Sequence, residues 1–373
     1  MPRPEVIPVC RPTVAATALE RVGECLESGW LGYGPLCHEL EARFTARGGH
    51  ALATANCTAA LHLAARLCRR AGPSRVLVPA MTFVSTAMAF ASAGLEVELI
   101  DVDPHTGLID PQDLARRITQ NCCAVVAVHL YGQRADIAAL RELCDQHDLT
   151  LIEDCAHRLD LLDTHPPLGD IACYSFNAVK EVPGGESGLL WCRNAGWIDR
   201  ARQISNLGLT VDTPSRAATL VHGDYAFGDE LGLKLRGFDL TAAIILASLD
   251  ELAATRAARA RIFAALNAAL GRGGAISPLA RDDTDSFLMY VAITGAAQRG
   301  ALRQGLAREG IATSIHYPSL SRHPGFSRGS LPRAEAFDRQ IVTLPCFPAM
   351  SDDQLGRIVA ALAVLNCDAP VSG

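Results

Sequence analysis

Between about Asn56 and Arg193 the apolar positions change period repeatedly, short β-rich runs giving way to stretches where Leu, Ala and Ile recur every three or four residues. The runs predict strands over Val76–Pro79, Val97–Asp101, Ala124–His129, Thr150–Asp154, Ala172–Phe176 and Gly188–Cys192. The periodic stretches predict helices over Thr58–Arg70, Pro111–Thr119 and Ile137–His147. Such alternation is the pattern of a mostly parallel sheet covered by helices. From Leu240 to Leu270 an alanine-rich periodic stretch, longer than a typical globular helix, predicts a bridge between domains. Beyond it, Ser286–Ile293 and Ile311–His316 predict strands, and Ala297–Arg308 and Asp352–Leu365 predict helices. The expected class is therefore α/β: a large domain, residues 1–245, with a mostly parallel mixed sheet, and a smaller C-terminal α+β domain, residues 246–373.

Composition narrows the function classes. The 373 residues are 49% hydrophobic and 20% charged, enough for a large core and against disorder. Net charge is −6 with the basic residues scattered, so the concentrated positive stripe of a nucleic-acid binder is missing. The N-terminus has no apolar core after a basic start, and no apolar run is long enough to cross a bilayer, so a soluble, cytoplasmic protein is expected. The 13 cysteines form no C-x-x-C pair, and Cys122, Cys123, Cys173 and Cys192 lie in apolar stretches. They read as buried thiols, and no metal site is expected.

Open α/β sheets deliver reactive side chains at the carboxyl ends of their strands. The strand through Leu151 and Glu153 terminates at Asp154, and the strand running through Ser175 and Phe176 leads to Lys180. An Asp and a Lys so placed suit pyridoxal 5'-phosphate (PLP): the carboxylate keeps the pyridine nitrogen protonated, and the amine forms a Schiff base and shuttles a proton. Taken singly, Asp154 reads as a helix cap and Lys180 as a solvated loop amine. Ala55-Asn56-Cys57-Thr58-Ala59-Ala60 opens an amphipathic helix with Asn56 as N-cap, whose amides could face a phosphate; simple capping is the other reading.

Across nearly the whole chain, these and further segments resemble the DegT-type sugar aminotransferases, PLP enzymes of fold type I. The likeness is carried by Ser28-Gly29-Trp30-Leu31 through Gly34-Pro35, Asn56 through Leu61, Pro79 through Val84 and His129-Leu130-Tyr131-Gly132-Gln133. Glu153-Asp154-Cys155-Ala156-His157, Ser175 through Lys180, Gly185-Glu186-Ser187-Gly188, Gly232 through Arg236 and His316-Tyr317-Pro318 complete it. The resemblance implies Lys180 as Schiff-base lysine, Asp154 as pyridinium partner, Cys57, Thr58 and Ser175 as phosphate ligands, Phe83 stacked on the cofactor, and His157 near its other face. It also implies that Lys234 reaches the phosphate in a neighbouring subunit, hence a homodimer with shared active sites. Arg236 is a candidate for the amino donor's carboxylate, a surface ion pair being the alternative. Glu181 after the lysine, Ser187 and the run from His157 to Leu162 depart from the family pattern.

The expected activity is transfer of an amino group from glutamate or glutamine to a keto-sugar, foremost a nucleotide-linked one, in amino-sugar or secondary-metabolite biosynthesis, with a keto-cyclitol or a keto-sugar acid as the alternative acceptor. A PLP-dependent sugar dehydratase and a regulator without turnover are the competing readings.

Overall fold

The computed structural model describes residues 5–367 apart from 47, 73, 160–166, 212–224, 272–273, 283–285 and 327–328. Its centre is a seven-stranded sheet in the order β1-β7-β6-β5-β4-β2-β3. The strands are β1 (His50–Thr54), β2 (Arg75–Pro79), β3 (Glu96–Ile100), β4 (Cys122–Val128), β5 (Thr150–Cys155), β6 (Ile171–Ser175) and β7 (Gly188–Cys192). Neighbours from β3 through β6 pair in parallel, whereas β7 runs antiparallel to both β6 and β1. Every residue of β4 is buried, which explains why its sequence is an unbroken apolar run.

Helices cover both faces. On one side lie α3 (Cys57–Cys68) and α4 (Val84–Ser92); on the other, α5 (Pro111–Arg117) and α6 (Ile137–Gln146) pack against Leu77, Val125 and Leu151. Two helices not expected from periodicity, α1 (Ala18–Ser28) and α2 (Pro35–Thr45), precede β1, and α7 (Ala195–Ile204) follows β7. The Asp239 carboxylate caps α2 by accepting from the amides of Gly34 and Cys37 on one oxygen and of Leu36 on the other.

The stretch expected to be one long bridge is two helices, α8 (Asp239–Asp250) and α9 (Leu252–Leu270), divided at Glu251. Position 245 lies within α8, which packs on α1 and α2. Beyond α9 a small antiparallel sheet, in the order β10-β9-β8, comprises β8 (Ile276–Pro278), β9 (Tyr290–Thr294) and β10 (Ile341–Leu344). It is joined by α10 (Arg299–Arg308), α11 (Pro332–Gln340) and α12 (Asp352–Cys367). The strand expected over Ile311–His316 is not formed: Ile311 bridges Ile7, Ser314 bridges Thr343, and no ladder connects them. Ile7 thereby enters the core around Phe263, Phe347 and Leu362.

After β2 the chain builds β3 outward, then returns past β2 to place β4 on its other side. The order in which strands are added reverses between β2 and β4, which still run parallel, and a crevice opens there at their carboxyl ends.

Candidate active site

That crevice holds a cavity of about 400 Å³. It is lined by residues following five strands: Asn56–Thr58 after β1, Thr82–Thr86 after β2, Val128 at the end of β4, Asp154–His157 at the end of β5, and Ser175–Lys180 after β6. Asp154, His157, Cys57, Thr58, Phe83, Ser175 and Lys180 thus meet in one place. Lys234 does not join them: it is exposed, and its strand segment bridges Asn206 instead. Arg236 is also absent from the lining, its guanidinium lying 4.7 Å over the Tyr33 ring.

Asp154 is buried in register between Val128 and Cys173. Its Oδ1 accepts from the Ala156 amide at 3.0 Å and its Oδ2 from the Thr86 hydroxyl at 2.8 Å. Thr86 Oγ1, its proton spent on Asp154, accepts in turn from Thr82 at 2.9 Å. The carboxyl is therefore fixed in orientation by a chain of donors. Burial nonetheless pushes it above the usual carboxylate range, against these bonds and the nearby Lys180 amine. A cation set against such a carboxylate favours its ionised form.

Lys180 sits in a tight loop between β6 and β7, closed by backbone bonds from Ala178 N–H to Gly185 O and from Gly184 N–H to Phe176 O. Burial of the amine within the cavity lowers its basicity, outweighing the attraction of Asp154. A less basic lysine spends more time as the neutral nucleophile. Glu181, where the sequence departs from the family pattern, is turned away: it forms a buried ion pair with Arg256, which also binds the Leu159 carbonyl. The other departing run continues past Leu159 outside the described residues.

At the start of α3 the Asn56 side chain caps the Ala59 amide at 2.8 Å and the Asn56 carbonyl takes the Ala60 amide. The amides of Cys57 and Thr58 belong to the first turn, and the Thr58 and Ser175 side chains line the cavity beside them, a group of neutral donors suited to cradle an anion. Gly188, opposite both Thr54 and Ser175 in the sheet, backs this cradle. A Cβ there would sit 2.4 Å from the Asn56 carbonyl carbon and 2.5 Å from the Cys57 nitrogen.

The Phe83 ring is half-exposed in the lining, 5.2 Å from the ring of Tyr317. A flat apolar wall, a buried carboxylate, an amine of lowered basicity and a group of neutral donors fit pyridoxal phosphate group by group. Thr86, Asn177, Glu186, Met289, His316 and Tyr317 also line the cavity and carry no role in the sequence reading. The motif containing His316 and Tyr317 pointed at two of them. His129, Glu153 and Cys155 cluster just below, within reach of one ion. Both His129 nitrogens are engaged, Nδ1 accepting from the Ala135 amide and Nε2 donating to Glu153, so the pair buttresses the sheet edge.

The model of the DegT/DnrJ/EryC1/StrS aminotransferase family matches residues 12–363. The chain belongs to that family. This aminotransferase is 30% identical to the spore coat polysaccharide biosynthesis protein SpsC of Bacillus subtilis (strain 168), over 96% of this chain and 97% of SpsC. It superposes on sugar aminotransferase CalS13 from Micromonospora echinospora with a TM-score of 0.86 and 27% identity, covering 96% and 99% of the two chains. The structure of DesI in the presence of its TDP-sugar product matches with a TM-score of 0.86 and 29% identity, covering 98% and 94%. The fold is thus that of the PLP-dependent sugar aminotransferases, as the resemblance implied, and the protein is an enzyme. Among the described residues no helix is long and apolar enough to cross a membrane.

In this aminotransferase Gly188→Ala is expected to destabilise the fold by about 1–3 kcal/mol, because the added carbon must displace backbone. Thermal melts check this, the variant melting lower; a PLP titration that also shows weaker uptake would support a cofactor role for the displaced Asn56–Cys57 backbone.

Proposed function

We propose that the protein is a PLP-dependent aminotransferase that moves an amino group from glutamate or glutamine to a keto-sugar, nucleotide-linked as for DesI, in the building of an amino sugar or secondary metabolite. The observation that carries this is the convergence of Asp154 and Lys180 in one cavity beside the α3 amides. Cys57, Thr58 and Ser175 hold the phosphate, Phe83 covers one face of the ring, and His157 bounds the cavity near the other. When bound, the cofactor supplies an electron sink for the carbon that exchanges its amine. Asp154 holds the proton on the ring nitrogen. Lys180, its basicity lowered by burial, accepts the proton from the donor's carbon and returns it to the acceptor's.

The test is to incubate purified protein with glutamate or glutamine and a panel of keto-sugars and cyclitol ketones, with products weighed by mass spectrometry. Gain of nitrogen with donor-dependent loss of the visible cofactor band supports the proposal. Loss of oxygen without gain of nitrogen replaces it with the dehydratase reading, and no turnover favours the regulator.

We further propose a homodimer acting in the cytoplasm, with Lys234 serving the neighbouring site. Its support is an apolar surface around that lysine: Leu207, Tyr225, Phe227, Leu231 and Leu233 are all exposed, Leu231 at 89%. Phe227→Glu with Leu231→Glu is expected to weaken association at least about a hundredfold, because charges would be buried without partners. Sedimentation then shows monomers, with activity lost in parallel. An unchanged dimer would refute this surface as the interface.

A further inference from the structure

His316-Tyr317-Pro318 is a motif to which the proposed reaction gives no task. Tyr317 lines the cavity, and its Oη lies 3.0 Å from Nε2 of His157, 160 residues away in sequence. On the other side of the imidazole, the backbone N–H of Tyr131 donates to Nδ1 at 3.1 Å. That amide is aimed by a left-handed backbone at Tyr131, φ 61° and ψ 11°, a conformation uncommon for a bulky residue and held by its fully buried ring.

These contacts fix where each proton lies. A backbone amide only donates, so Nδ1 must carry a lone pair. Burial, with Lys180 and His316 beside the ring, keeps the imidazole neutral, which leaves its single proton on Nε2. Nε2–H therefore donates to Tyr317 Oη. The phenol keeps one proton of its own, and among the described residues no hydrogen bond receives it.

We propose that Tyr317 is a catalytic hydrogen-bond donor, its phenolic O–H oriented by neutral His157 and given to a lone-pair oxygen of the molecule bound in the cavity. This rests on the reading of the cavity as a cofactor pocket. Two oxygens offer the required chemistry: the ring-hydroxyl oxygen of the cofactor and the carbonyl oxygen of the acceptor. The ionisable groups facing Tyr317 are Asp154, Cys10, Tyr131 and His157, with Lys180 and His316 in the same lining. Tyr317→Phe leaves all of them in place and keeps the ring contact with Phe83, so it isolates the O–H.

The experiment titrates the visible band of cofactor-loaded Tyr317→Phe against pH without substrate, then measures each half-reaction separately. If the donor serves the cofactor oxygen, the midpoint rises by about one pH unit or more, because the deprotonated form loses a hydrogen bond that stabilised it. If it serves the acceptor oxygen, the midpoint holds, and kcat/KM of the acceptor half-reaction falls about tenfold to a hundredfold with the donor half-reaction intact. His157→Gln, whose amide can accept from Tyr131 and donate to Tyr317, is expected to recover most of the band midpoint and half-reaction rate that His157→Leu loses. His157→Leu should reproduce the Tyr317→Phe effect. Unchanged titration and half-reactions in Tyr317→Phe overturn the role of Tyr317. A wild-type protein that takes up no cofactor overturns the pocket reading instead.

Discussion

Lys180→Ala is expected to abolish the visible band of the cofactor-loaded protein and to lower turnover by on the order of 10⁴-fold or more, since in the proposed function one amine serves as anchor and as proton carrier. The environment of that amine explains the size of the effect. Lys180 is the basic side chain in the cavity lining, and the other groups there are poor substitutes. His316 is held down to about 4 by burial and by Lys180 itself, and its Nδ1 is engaged with the Thr343 hydroxyl. His157 is spoken for on both nitrogens. The amides at the start of α3 and Asp154 are untouched by the substitution, so the variant should still bind PLP, detectable by equilibrium dialysis, while leaving it chemically unattached. Lys180→Arg discriminates further: it restores positive charge but not a neutral nucleophile, because a guanidinium does not deprotonate in proteins. It should be as inactive as the alanine variant. If either variant turned over within tenfold of wild type, Lys180 would not be the proton carrier.

How far the chain declares this arrangement depends on whether a signal is local. β4 is legible because both its faces are buried, so Cys122–Val128 is continuously apolar and reads as a central strand. β1 escaped because His50–Thr54 is short and alanine-rich, and its strand state comes from antiparallel pairing with β7. The run Ile311–His316 shows the converse. Its composition suits a strand, yet the segment is spent on single bridges to Ile7 and Thr343 and on delivering His316 and Tyr317 to the cavity. The break at Glu251 between α8 and α9 carries neither Pro nor Gly, so the helical pattern runs through it.

The site divides the same way. Asp154 and Lys180 follow strand ends, where α/β topology concentrates chemistry, so their positions were readable once the strands were. Thr86 lies one helical turn beyond Thr82, and its bond to Asp154 depends on α4 lying across the end of β5, which no local period encodes. The contact between His157 and Tyr317 joins the large sheet to the C-terminal part of the chain and is wholly tertiary. Lys234 stays the outlier, exposed and outside the cavity lining; the service to a second subunit proposed for it would leave no mark on the geometry of one chain.

Asp154→Asn is expected to lower kcat by about 10²–10³-fold, the range seen when a preorganised electrostatic group is removed from a reacting centre. The substitution keeps the shape of the side chain and neutralises it. Asn can keep both contacts: its Oδ1 accepts from the Ala156 amide, and its NH₂ donates to Thr86 Oγ1, whose own proton then turns to Thr82. The buried carboxyl is already pushed above the ordinary carboxylate range, so removing its charge relieves a desolvation penalty in the cofactor-free protein. The cofactor-free variant should therefore melt no lower than wild type. With PLP bound the balance reverses: wild type gains the attraction between carboxylate and pyridinium, and the variant does not. The rise in melting temperature on adding PLP should therefore be smaller for Asp154→Asn than for wild type, alongside the fall in kcat. A variant with full activity, or one that PLP stabilises as strongly as wild type, would show that the carboxylate at the end of β5 does not face the ring nitrogen.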